Sequence, residues 1–160
     1  MTSTKFQKLV NNSFLFRLFL LRSLPMGYIA GIRVKNLSDR EAVTTVKFGW
    51  LTQNPFRSMY FACQAMAAEM STGLLVMNGI YGSRPPVSML IIKNTAVYHK
   101  KAVGTITFTC ADGTYISDMI AKAKQGGEGV IMELKSTGTD HSGEVVSEFT
   151  FTWSLKAKAK

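Results

Sequence analysis

The chain is poor in acidic residues and in cysteine. Ten Asp and Glu stand against nineteen Lys and Arg in 160 residues, a formal charge of +9. There are only two histidines, four prolines and two cysteines, Cys63 and Cys110. Neither cysteine has a partner at CxxC or CxxH spacing, so the sequence offers no zinc site. Two isolated thiols make no disulfide framework, which points to a reducing, cytoplasmic setting; both read as small buried hydrophobes. The GxSxG elbow, the P-loop and the GxGxxG turn are absent, which argues against α/β-hydrolase, nucleotide triphosphatase and dinucleotide chemistry. No block of five or six cations occurs and arginine is not interleaved with aromatics, so nucleic acid is not an expected partner. The positive excess still favours an anionic ligand or surface.

The N-terminal stretch Phe14-Leu15-Phe16-Arg17-Leu18-Phe19-Leu20-Leu21 is too short to span a bilayer. Arg17 interrupts it, and no small-x-small cleavage site follows. It reads as a helix packed on the fold or at a subunit contact, with membrane docking as the lesser alternative. Pro25 is expected to end that helix. Residues 1–25 then form the N-terminal helix, 26–155 the main domain and 156–160 a solvated basic tail.

Within the main domain, 28–37 and 42–50 read as a hairpin joined by Asn36, Ser38 and Asp39. Asn54-Pro55 opens a turn before a helix over 56–73, rich in alanine and methionine. Residues 87–98 read as a buried strand. Residues 102–110 alternate, with Ile106, Phe108 and Cys110 on one face. A short helix over 114–124 is bracketed by Asp112-Gly113 and Gly126-Gly127. Strands follow at 129–137 and 145–155, the last alternating most cleanly. Neighbouring strands with one long helix imply an α+β domain: an antiparallel sheet curled around a helix.

Glu69 is the notable residue of that helix. Its helical neighbours are Ala65, Met66 and Gly73, all nonpolar. Dehydration there would raise its pKa, as suits a general base or nucleophile. Against this stands a carboxylate that reaches solvent or pairs with Arg57 or Arg84. Asn54 reads first as a turn residue, and Met59, Met66, Met70, Met77 and Met89 suit either a plastic core or an acyl tunnel.

The order of elements resembles the hotdog fold of the acyl-CoA thioesterase superfamily, its phenylacetate-pathway branch in particular. There an Asn precedes a His-Gly-Gly helix start, with an acid nine residues after the His. Asn54 falls on the Asn, Tyr60, Phe61 and Ala62 on His-Gly-Gly, and Glu69 on the acid. The segment 98–104 and the hairpin 140–148 resemble later family segments. The resemblance implies a hotdog domain with an extra N-terminal helix, acting on an acyl-CoA or acyl-carrier-protein thioester in a homodimer or tetramer. It requires no cofactor beyond the coenzyme A of the substrate. Glu69, Asn54 and Tyr60 would be catalytic. Phe61, Ala62 and Gln64 would hold the oxyanion and substrate, and Arg84, Lys100 and Lys101 the CoA phosphates. Loss of the His-Gly-Gly triplet leaves an alternative: a catalytically inactive module that binds fatty acyl groups or acyl-CoA.

Overall fold

A computed structural model describes residues 4–125 and 129–158; Gly126-Gly127 and the last two residues of the basic tail lie outside them. The N-terminal segment folds as three helices: α1 (Lys5–Asn11), α2 (Ser13–Ser23) and α3 (Pro25–Ile29). Asn12 divides the first two, its side chain accepting from the amides of Phe14 and Leu15 to start α2. Pro25 opens α3 at its first turn, where a missing N–H costs nothing. The expected strand at residue 28 therefore starts later, at Arg33.

The six strands are β1 (Arg33–Leu37), β2 (Ala42–Lys47), β3 (Val87–Tyr98), β4 (Thr105–Cys110), β5 (Val130–Thr139) and β6 (Val145–Ala157). They form one antiparallel sheet in the order β1-β2-β4-β5-β6-β3. β3 pairs only with β6 among the described residues and is largely exposed, not buried as its β-branched composition suggests. Composition sets its strand character; its edge position comes from topology. β6 runs beyond the expected boundary: Lys156 pairs with Ser88, and the Lys158 amide donates to the Pro86 carbonyl. The start of the presumed tail is thus sheet.

The long helix α4 (Phe61–Ile80) lies against the inner face of the sheet. Its 20 residues span about 30 Å. It begins five residues later than the sequence suggests, because 54–59 is tied into a turn. It also runs past Gly73, which serves packing: a Cβ there would sit 2.9 Å from Glu69 Oε1 and 3.5 Å from the Trp153 ring. Alanines bring the backbone close to the sheet, and hydroxyls fix its register. Thr44 Oγ1 donates to the Ala67 carbonyl at 2.7 Å, the Ser71 and Ser136 hydroxyls meet at 2.8 Å, and Trp153 Nε1 donates to Thr72 Oγ1 at 3.2 Å. Ile106, Phe108, Leu134, Phe149 and Phe151 complete the core. Gly138 is required opposite Phe108, whose ring would lie 2.5 Å from an added Cβ. The second domain helix, α5 (Gly113–Gln125), packs on α4.

Candidate functional site

The start of α4 lies in a cleft of about 470 Å³. The turn before the helix builds one wall. Asn54 Oδ1 accepts from the amides of Phe56 (3.0 Å) and Ser58 (3.3 Å), and its Nδ2 donates to the Ser58 hydroxyl. Arg57 holds a left-handed φ of 57° within this turn. The Met59 amide then donates to the Ala102 carbonyl at 2.8 Å and the Tyr60 amide to Thr52 at 2.7 Å. These bonds anchor the chain just before the helix.

Tyr60 is the N-cap of α4, yet its side chain caps nothing. Its ring packs edge-on against Phe61 at 4.8 Å instead. Among the described residues, no side chain or loop carbonyl accepts from the Phe61 or Ala62 amides. The first N–H groups of a helix have no intrahelical acceptor and lie at the positive end of its dipole. The cleft therefore offers bare donors to a developing oxyanion. One turn further on, Gln64 is 4% exposed. Its Oε1 accepts from the Ser147 hydroxyl of β6 at 2.9 Å. Its Nε2 has no protein partner among the described residues, although Gln64 lines the cleft.

The segment 98–102 forms the opposite wall. Tyr98 reaches the core through an edge-on contact with Phe149 at 5.7 Å. His99 pairs with Glu148 at 2.8 Å. Lys100 pairs with Asp140, at 2.6 Å, and with Glu144, both in the β5–β6 turn. These bonds raise the Lys100 pKa and hold Asp140 well below the usual carboxylate range. Lys100 is thus neutralised within its own chain. Lys101 donates to the Phe56 carbonyl at 3.3 Å across the cleft mouth.

Of the residues singled out in the sequence, this cleft gathers Asn54, Tyr60, Phe61, Gln64, Lys100 and Lys101. Ala62 is half-buried beside it, and Arg84 lies beyond the far end of α4, outside it. Glu69 is also elsewhere, eight residues along α4 from Phe61 and so about 12 Å down the axis. It borders a separate cleft of about 220 Å³ with Phe16, Phe19 and Leu24 and the methionines Met70, Met77 and Met89. No ion pair or side-chain hydrogen bond reaches its carboxylate among the described residues. Burial there pushes its pKa up, as the apolar sequence context suggests. The thiols are likewise pushed up by burial, Cys110 to about 12, and sit in the core. Among the described residues no His, Cys, Asp and Glu cluster could hold a metal ion.

Phe56 and Tyr98 complete the cleft, and Ser147 is buried behind it as the partner of Gln64; none of the three was expected there. The signal for Ser147 is its place on the inward phase of β6. Phe56 and Tyr98 carry no such signal, because turn and strand end meet only in the fold.

A six-stranded antiparallel sheet around one long helix is the hotdog fold. The chain belongs to the family described as Domain of unknown function (DUF4442), whose model matches residues 13–155. No curated protein sequence matches it. Among solved structures, a Pseudomonas aeruginosa protein of unknown function, described as a probable thioesterase, is similar at 21% identity. The match covers 96% of this chain and 94% of that one, with a TM-score of 0.74. A Haemophilus influenzae thioesterase is similar at 12% identity, covering 100% and 95%, with a TM-score of 0.68. A Chlorobaculum tepidum protein of unknown function is similar at 12% identity, covering 89% and 92%, with a TM-score of 0.75. These likenesses establish the fold.

Proposed function

We propose that this protein is a homodimeric, cytoplasmic thioesterase that hydrolyses acyl thioesters of coenzyme A or a carrier protein. The observation that carries the proposal is the bare start of α4: uncapped amides at Phe61 and Ala62 opening on an aromatic-walled cleft. A thioester carbonyl seated there would develop its negative charge against these N–H groups. The Gln64 amide would give a further donor from the cleft wall. Lys101, at the mouth, is the cation best placed to meet a nucleotide phosphate.

Glu69 is too far along its own helix to act on that carbonyl. A second copy placed with its α4 antiparallel would bring its own Glu69 to the open amides, and each dimer would hold two composite sites. The exposed outer edge of β3, with Leu90, Ile92 and Val97 at the surface, supplies a surface for such pairing. There Glu69 would take a proton from water as it attacks the carbonyl carbon. The tetrahedral intermediate would then collapse, breaking the carbon–sulfur bond while the proton on Glu69 passes to the departing sulfur, and acid and thiol would leave. A raised pKa makes the carboxylate a stronger base.

The test is thiol release from acyl-CoA thioesters, short to long and aromatic, by wild type and Glu69→Gln. Loss of about 10²–10⁴-fold in the variant, with ligand binding kept, is the expected result. Equal hydrolysis by both proteins refutes the role of Glu69. One observation favours a second reading: Phe16, Phe19 and Leu24 enclose Glu69. A silent module that binds acyl groups would bind acyl-CoA and release no thiol from any of them.

A further inference from the structure

The N-terminal helices carry an apolar surface that the fold itself does not use. α2 is apolar on two opposite faces. Phe16 and Leu20 enter the core. Phe14, Leu18 and Leu21, at i, i+4 and i+7, share the outer face and are 70%, 51% and 52% exposed. Met26 and Ile29 of α3 are exposed as well. Ile29 shares a cleft of about 460 Å³ with Trp50 and Leu51, on the turn after β2. Trp50 is 82% exposed. Large apolar side chains gathered at the surface in this number mark an interaction site.

Cations fringe it. Arg22 is exposed on α2, and Lys47 is exposed where β2 enters the Trp50 turn. Arg17, Arg33 and Lys35 ring a further cleft of about 260 Å³, with Val10 and Phe16 in its lining and no acidic residue. Arg17 is held there with its guanidinium 4.1 Å from the centre of the Tyr28 ring. The charge of the whole chain is concentrated in this part. Residues 1–60 hold nine Lys and Arg against two Asp and Glu, a formal +7 of the chain's +9.

We infer that this surface docks on an anionic lipid bilayer. Phe14, Leu18, Leu21, Met26, Ile29 and Trp50 enter the interfacial zone, while Arg17, Arg22, Arg33, Lys35 and Lys47 face lipid phosphates. Charge complementarity selects this occupant. A second copy would press the same cations against these, whereas an anionic headgroup layer over hydrocarbon satisfies both the charge and the apolar stripe. Tryptophan favours that boundary. The helices lie along the surface: no helix of the described residues is long and apolar enough to cross a membrane. The inference is independent of the thioesterase proposal.

The experiment is vesicle flotation of the full chain. It compares phosphatidylcholine vesicles with vesicles mixed with phosphatidylglycerol, at low and physiological salt. Binding to the mixed vesicles, weakened by salt, is expected, with a blue shift of tryptophan emission. Trp153 is buried in the core, so Trp50→Phe should abolish the shift. Leu18→Asp with Trp50→Ser should lower partitioning at least about tenfold, with the melting temperature retained because both side chains are exposed. Three results overturn the inference. The wild type fails to float with anionic vesicles at low salt, the double variant floats equally well, or the double variant changes the oligomer mass while the wild type ignores vesicles. The last identifies the face as a contact between copies.

Discussion

Removing the Ser147 hydroxyl would test how the wall of the cleft is held. Ser147 donates to Gln64 Oε1 at 2.9 Å, and both side chains are buried. In Ser147→Ala the Gln64 carbonyl loses that donor in a place where water replaces it poorly. An orphaned buried acceptor costs about 1–3 kcal/mol. For a chain of this length each kcal/mol shifts the melting midpoint by about 2–4 °C. Ser147→Ala should therefore melt about 2–12 °C lower. Gln64→Leu removes the acceptor but leaves the serine hydroxyl unpaired, and the double variant removes both. The cycle should thus show a coupling of at least about 0.5 kcal/mol, with the double variant more stable than the sum of the single costs. Urea unfolding at fixed protein concentration measures this, since an oligomer's stability depends on concentration. A constant m-value would show that only the native contact changed. Additive single costs, or a Ser147→Ala protein as stable as wild type, would refute the reasoning. In the thioesterase proposal the same variant should also raise KM, because the Gln64 amide that faces the cleft loses its tether.

Glu69 predicts a pH signature. Burial raises its folded pKa above the unfolded value, so the protonated form favours folding. That stability is fully present below the ordinary glutamate pKa and is lost as pH rises through the higher folded value. Glu69→Gln should therefore melt higher than wild type at neutral and alkaline pH, with the gap closing in acid. A gap that widens in acid, followed by calorimetry across that range, would mean the carboxylate is stabilised as the anion. The two lysines of the cleft should separate. Lys100 is already held by Asp140 and Glu144, so Lys100→Ala should leave acyl-CoA affinity unchanged, whereas Lys101→Ala should weaken it several-fold in a titration. The opposite order would mean that the carboxylates of the hairpin release Lys100 to the ligand.

Much of the domain was legible in the chain because its signals are local. Strand β3 falls on its expected residues, α5 and β4 nearly so, and the alternation of Ile106, Phe108 and Cys110 gives the inward face of β4 correctly. The Asn54 turn was legible too, since an asparagine side chain bonds the backbone two residues ahead. The limits of α4 were not. Its start depends on the Met59 amide finding the Ala102 carbonyl, a partner far along the chain. Its passage through Gly73 follows from packing on the sheet, where the Trp153 ring lies within van der Waals reach of the glycine.

The sequence by itself determined most of the strands, the presence of the long helix, the class of the fold and the concentration of positive charge in the first 60 residues. These follow from side-chain period, turn chemistry and composition, all properties of near neighbours. Tertiary structure alone decided that β3 is an edge, that Lys100 is neutralised by a hairpin forty residues away, and that Glu69 and the bare amides of its own helix occupy separate clefts. Each of these depends on which surfaces meet across the sheet. A residue's charge and exposure are set by those distant contacts, and no local pattern encodes them.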